Sequence, residues 1–241
     1  MEIRICETAD ALGKSAAKFV ADELRKIINS KGYARIALST GASQFDTLKY
    51  LVLEDVDWSK VEMFHLDEYV DLPETHPASF RKYLRERFVE KVGTLKSVNF
   101  VDGTKEGILS ITKKITADDI DIGLIGIGEN THIAFNDPPA DFDTNESYIV
   151  VNLDEACRRQ QLGEGWFPTI DDVPRQAISM TVSQIMKCKK IISCVPYSVK
   201  ANAIMKTLKT KKTNLVPAIK LKEHPDFTLY VDTNSAKEVL S

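Results

Sequence analysis

The run Ile120-Asp121-Ile122-Gly123-Leu124-Ile125-Gly126-Ile127 constrains the fold of this chain more than any other stretch. Apolar along most of its length, it reads as a strand covered on both faces, and such strands belong to parallel sheets flanked by helices. The surrounding pattern agrees. Strands are expected at Arg35–Leu38, Val61–Leu66, Val98–Val101, Lys190–Val195 and Phe227–Val231, and Met1–Cys6 opens in strand-like alternation. Between them, Leu12, Ala16, Phe19, Val20, Leu24, Ile27 and Ile28 keep a 3.6-residue period, with Asp10 expected as the cap and Lys31-Gly32 as the stop. Further helices are expected through Leu48 and Leu51, around Phe80, Tyr83, Leu84 and Phe88, over Ile108–Ile115, and from about Ser198 to Leu208. Strand alternating with helix predicts an α/β fold: a single doubly wound, mostly parallel sheet sandwiched by helices, modified Rossmann-like, with right-handed crossovers. No repeat, low-complexity tract or Pro/Gly/Ser linker breaks the rhythm, so residues 1–241 are expected to form one domain.

Several function classes are excluded early. The net charge of −3 offers no nucleic-acid surface, and Lys206, Lys209, Lys211 and Lys212 read as the solvated end of a helix. No apolar run approaches the roughly 18–20 residues of a membrane span, so no membrane partner is expected. The N-terminus lacks the pattern of a secretory signal. Cys6, Cys157, Cys188 and Cys194 have no metal-ligand spacing and read as reduced thiols of a cytoplasmic protein. His65, His76, His132 and His224 show neither HxH nor HxxxH spacing, so no metal is expected.

In doubly wound sheets, ligands bind beyond the carboxyl ends of the strands. Four such ends carry chemistry. After Leu38, the turn Ser39-Thr40-Gly41-Ala42-Ser43 offers amides and hydroxyls as an anion cradle, with neither a P-loop nor a GxGxxG pattern. After Leu66 come Asp67-Glu68-Tyr69; the two acids point to different sides, so one of them faces the crevice and could serve as a general base. After Ile127, His132 lies two residues past Asn130 and five before Asp137, polar neighbours able to fix an imidazole's tautomer. After Val195, Lys200 sits near the start of a helix, an unfavourable place for a cation unless an anion is there too. Together these ends describe acid/base chemistry on a phosphorylated small molecule.

The segments Phe64-His65-Leu66-Asp67-Glu68-Tyr69-Val70-Asp71-Leu72-Pro73 and His76-Pro77-Ala78-Ser79-Phe80 closely resemble a signature of the glucosamine-6-phosphate deaminase/isomerase family. Gly126–Pro138 is similar to that family's GxGxNGHI(A/G)FNEP, Thr40–Ser43 to its phosphate loop, and Val173–Thr181 to a later strand entry. The resemblance spans nearly the whole chain. It implies conversion of glucosamine 6-phosphate to fructose 6-phosphate and ammonia, without metal or organic cofactor. It further implies that Asp67 moves the proton between C2 and C1, that His132 opens the pyranose ring, and that Asp137 holds His132. Residues Ser39 to Ser43 and Lys200 would bind phosphate, and Arg158 and Arg159 are the candidates for a phosphate-contacting arginine. A homo-oligomer is left open.

Three departures stand out: Asp137 in place of Glu, Thr131 in place of Gly, and Gln161–Phe167 in place of the usual SRFF. Thr131 implies either a locally different loop or a glycine never needed for its backbone. Galactosamine 6-phosphate, differing at C4, is an alternative substrate. A 6-phosphogluconolactonase is a second alternative, disfavoured by Phe135-Asn136-Asp137-Pro138. A non-catalytic sugar-phosphate sensor is a third, with no residues left for a DNA-binding unit.

Overall fold

In the computed structural model, which describes residues 1–163 and 165–240, the alternation becomes a seven-stranded sheet with helices on both faces. The first half runs β1 (Glu2–Cys6), α1 (Ala9–Lys31), β2 (Ala34–Leu38), α2 (Phe45–Leu51), β3 (Val61–His65), β4 (Asp67–Tyr69), α3 (Phe80–Leu84), α4 (Glu90–Val92), β5 (Ser97–Asn99) and α5 (Gly107–Ile115). The second half runs β6 (Ile122–Leu124), β7 (Tyr148–Asn152), α6 (Glu155–Gly163), β8 (Gln176–Met180), α7 (Val182–Ile185), β9 (Lys190–Val195), α8 (Ala201–Lys209), β10 (Phe227–Asp232) and α9 (Lys237–Leu240). Among the described residues, no helix is long and apolar enough to cross a membrane.

The large sheet has the order β1-β10-β9-β6-β2-β3-β5, and every neighbouring pair is parallel. From β2 the chain moves outward to β3 and β5, returns to lay β6 on the other side of β2, then moves outward again through β9 and β10. The order therefore reverses between β2 and β6. That is the topological switch point, where a crevice forms beyond the strand ends.

Alternate strand residues feed opposite faces. Ile36, Leu38, Met63, Ile192 and Cys194 pack with Leu12, Ala16, Val20 and Leu24 of α1 and with Leu48 and Leu51 of α2. Ala37, Phe64, Ile191, Val195 and Leu229 pack with Ile111 and Ile115 of α5 and with Ala203 and Ile204 of α8. The central position expected for the Ile120–Ile127 run is the observed one: β6 pairs with β2 and β9. Asp121, at its buried start, accepts from the Arg35 amide at 2.9 Å and lies 3.2–3.3 Å from Lys31 and Lys189. A buried carboxylate survives there because it is paired.

Two expectations change. The cap of α1 is Thr8, not Asp10: Thr8 has the extended backbone a cap needs, and its hydroxyl accepts from the Ala11 amide at 3.1 Å. Asp10 already lies in the first turn, where it meets Lys49 and Tyr50. Beyond Leu66, the chain continues as β4 in a separate antiparallel sheet of order β4-β8-β7. Asp67 pairs with Ser179 in that sheet, a partner too distant in sequence for any local pattern to reveal.

Candidate active site

A cleft of about 190 Å³ opens at the switch point. Ser39, Thr40, Gly41, Ala42, Ser43, Asp67, His132 and Lys200 all line it, so the four strand ends do converge. The loop after β2 is tied to the strand it faces. Its Ser39 amide donates to the Leu124 carbonyl at 3.0 Å, and its Ser39 hydroxyl accepts from the Gly126 amide at 3.0 Å. Gly41 has φ 99°, a left-handed backbone that glycine adopts without steric cost. The amides of residues 40–43 donate to no partner among the described residues, and these residues line the cleft. Lys200 lies in the turn Ser198–Lys200 that leads into α8.

The small sheet decides which of the two adjacent acids serves the cleft. Successive β4 residues point to opposite sides. Glu68, fully buried, accepts from the Ser79 hydroxyl at 2.8 Å and from the Arg81 amide and guanidinium at 2.9 and 3.1 Å. Its role is structural. Asp67 faces the cleft, and burial, with the nearby charges of Glu68 and Asp137, pushes its carboxyl up to about 8.

The loop after β6 folds back on itself. The Gly128 amide donates to the His132 carbonyl at 2.8 Å, and the Thr131 amide to the Gly128 carbonyl at 2.9 Å. The imidazole lies so close over Gly128 that a Cβ there would sit 2.2 Å from its Cε1. Asn136 clamps the far side of the loop through bonds to the Ile133 and Met180 carbonyls at 2.7 and 2.8 Å. His132 Nδ1 is 2.7 Å from Asn130 Oδ1 and 3.3 Å from Asp137 Oδ1. Asn130 is thus the nearer partner, and its own amide donates to Asp137 at 2.8 Å. That bond fixes Asn130 Oδ1 as an acceptor, so Nδ1 carries a proton, and in the neutral imidazole the lone pair then falls on Nε2. Burial would raise the Asp137 carboxyl; the contacts with His132, the Cys157 thiol and Asn130 outweigh it and hold the group down at about 2.

Both arginine candidates miss the cleft. Arg158 is spent on the Val173 and Ile170 carbonyls, and Arg159 is exposed and paired with Glu155 one turn back along α6. The α6 residues that line the cleft are Gln160 and Gln161, and Tyr197 and Glu129 join them. Two glutamines in a polar helix look like a solvated face, so the sequence carried little signal for them. Within the Gln161–Phe167 departure, Glu164 lies outside the described residues.

A family model described as glucosamine-6-phosphate isomerases/6-phosphogluconolactonase matches residues 7–229. The chain belongs to this family. It is 37% identical over 236 residues to a glucosamine-6-phosphate deaminase of Staphylococcus epidermidis, covering 93% of this chain and 96% of that one. It is 30% identical over 246 residues to glucosamine-6-phosphate deaminase 1 of Bacillus subtilis, covering 98% of each. Among solved structures, a monomeric glucosamine-6-phosphate deaminase superposes with a TM-score of 0.87 at 28% identity, covering 98% of this chain and 99% of that one. A 6-phosphogluconolactonase of Shewanella baltica, at 16% identity, shares the fold with a TM-score of 0.77, covering 96% of this chain and 97% of that one.

The departures from the family pattern can now be read physically. Thr131 has φ 75°, so neither expectation about it holds: the loop keeps the left-handed backbone and a β-branched residue adopts it. Its side chain is buried with the hydroxyl unpartnered. Ala134 and Tyr197, at φ 48° and 79°, line the cleft, and Thr131 directly precedes His132, so left-handed non-glycine backbone clusters around this site. Asp137 Oδ1 lies 3.3 Å from the imidazole, and Asn130 bonds to both groups.

Proposed function

We propose that this chain converts glucosamine 6-phosphate to fructose 6-phosphate and ammonia by metal-free acid/base chemistry. One observation carries the reading: a buried Asp67 and an oriented His132 face the same cleft as the 39–43 loop and Lys200. The loop amides and Lys200 take the phosphate, which sets the sugar's reacting end against the two acid/base groups. His132, with its Nε2 lone pair, accepts the C1 hydroxyl proton and returns a proton to the ring oxygen as the ring opens. Asn130 and Asp137 keep the imidazole in that tautomer and favour the cation that forms in passing. Asp67 then carries one hydrogen from C2 to C1, while a proton passes from nitrogen to the C1 oxygen. The C2 imine that remains is hydrolysed by water to the ketone and ammonia. All of these residues come from one chain, so a single copy completes the site, and a homo-oligomer is not needed for it. The one-domain reading and a cytoplasmic location belong to the same proposal, the latter supported by four free cysteines.

The deciding experiment follows C2. In deuterated water the wild-type protein should exchange the C2 hydrogen of glucosamine 6-phosphate and release ammonia. Asp67→Asn should bind the sugar phosphate yet lose both activities. Full turnover by Asp67→Asn would refute the assignment. Running galactosamine 6-phosphate in parallel decides the C4 preference, and 6-phosphogluconolactone serves as the negative control.

A further inference from the structure

Gln161 is a polar side chain in an unusual position. It is 5% exposed, yet it lines the cleft and, on its other side, a second cavity of about 280 Å³ walled by Phe45, Tyr83 and Trp166. It is therefore part of the partition between the two spaces. The Tyr69 hydroxyl donates to its Oε1 at 2.6 Å. Tyr69 itself is fixed two residues beyond Asp67 on β4, with the rings of Phe80, Phe135 and Phe167 centred 5.1–5.6 Å away. With Oε1 occupied, the two N–H donors of Nε2 are the end of the amide left for another partner. Among the described residues, they have none within bonding distance. Those donors are not sealed in the interior, since Gln161 lines the cleft, so a ligand there can meet them.

We propose that Gln161 is a specificity-determining residue of the cleft, its amide aimed by Tyr69 to donate to an oxygen of the bound sugar phosphate. It is a neutral donor at the place on α6 where neither Arg158 nor Arg159 reaches. Binding there depends on direction and shape rather than on charge, because an amide N–H must point at its acceptor and a cation need not. Tyr69 is a positioning residue that acts through Gln161. The inference rests on the function proposed above.

The test uses Gln161→Ala, Gln161→Glu, Tyr69→Phe and the Tyr69→Phe/Gln161→Ala double variant of the full chain. Steady-state ammonia release is measured alongside calorimetric titration with glucosamine 6-phosphate and with inorganic phosphate. Gln161→Ala should raise KM and the dissociation constant about 10-fold, as expected for one lost hydrogen bond, with kcat changed less than 3-fold. Gln161→Glu, isosteric but acceptor-only, should do worse. Tyr69→Phe should raise KM less than Gln161→Ala, and adding it to Gln161→Ala should change nothing further. Equal weakening toward inorganic phosphate places the contact on a phosphate oxygen; weakening of the sugar phosphate alone places it on a sugar hydroxyl. Unchanged KM and affinity in both Gln161 variants, or a fall in kcat alone, would overturn the assignment. If the wild type releases no ammonia, the proposed function fails; the titrations with sugar phosphate then still test Gln161.

Discussion

In the role proposed for it, Asp67 ties the pH dependence of activity to that of stability. Its folded-state pKa of about 8 lies above the unfolded value near 4, so between those limits the folded chain holds a proton that the unfolded chain has lost. The contribution to stability is present below about pH 4 and is lost as pH rises to about 8. Asp67→Asn is neutral throughout and escapes that loss. The variant should show a flatter stability curve over pH 4–8 in urea titrations and should exceed the wild type at pH 9. Catalysis has the opposite requirement, because a base must be ionised before it can accept a proton. In the wild type, kcat/KM should therefore climb with pH through a limb near 8 while stability declines. A flat kcat/KM profile from pH 6 to 9 would contradict the role of Asp67. The same group would then be costing stability without serving the chemistry, contrary to the usual trade at active sites.

At the scale of the element, the 128–137 loop is built around a contact and a strain. The contact is the imidazole lying on Gly128, and the strain is the left-handed backbone at Thr131. Gly128→Ala puts a methyl into the ring, and the obstruction is the ring itself, so the imidazole must leave its bond to Asn130. Displacement of a catalytic group by about 1 Å costs roughly 10²-fold in rate, and kcat for Gly128→Ala should fall by at least that much while the fold persists. Thr131→Gly acts the other way. It removes a strained backbone worth about 1–3 kcal/mol and an unpartnered buried hydroxyl, against a smaller loss of burial and chain entropy. Calorimetry should show Tm rising by about 2–4 °C, since about 1 kcal/mol moves Tm by that amount in a chain of this length. A lower Tm would mean that Thr131 is held by packing stronger than its strain.

For the whole molecule, the division of labour between two sheets matters most. The parallel sheet supplies the anion loop, the His132 loop and Lys200 from the ends of β2, β6 and β9. The antiparallel sheet supplies Asp67, and Ser179 on β8 also receives the Phe135 amide of the His132 loop at 3.0 Å. Asp67 and His132 are thus held by separate sheets that meet at the cleft. A sugar phosphate bound as proposed touches both sets of loops, and ligand that binds only the folded state stabilises by mass action. At 100 times its dissociation constant that amounts to about 2.7 kcal/mol, which should raise Tm by about 5–10 °C. Inorganic phosphate, in the same proposal, meets only the 39–43 loop and Lys200, so at the same concentration it should give a smaller shift. Equal shifts from both ligands would mean that the sugar ring contributes nothing to binding.

The parallel sheet and its ligand end were legible in the sequence because both depend on local patterns. Apolar runs such as Ile120–Ile127 and Lys190–Val195 mark buried strands, the period of α1 marks its covered face, and small or polar residues directly after a strand mark the crevice. Asp67, His132, Lys200 and the 39–43 loop were accessible for that reason. What depends on distant pairing was not. Asp67–Tyr69 reads as the end of a strand until Ser179 lies beside it, more than a hundred residues away, and only that register separates the cleft-facing Asp67 from the buried Glu68. The choice of Asn130 over Asp137 as the nearer partner of His132 rests on how the loop folds back, not on spacing. The arginines of α6 carried the right charge but lay on the wrong faces of their helix, where backbone carbonyls and Glu155 take them. Gln161 had no distinguishing charge, and its place on the cleft wall and its bond from Tyr69, 92 residues away, exist only in the folded chain. Sequence patterns report which residues a strand or helix presents; which of those faces meet is decided by the long-range closure of the two sheets.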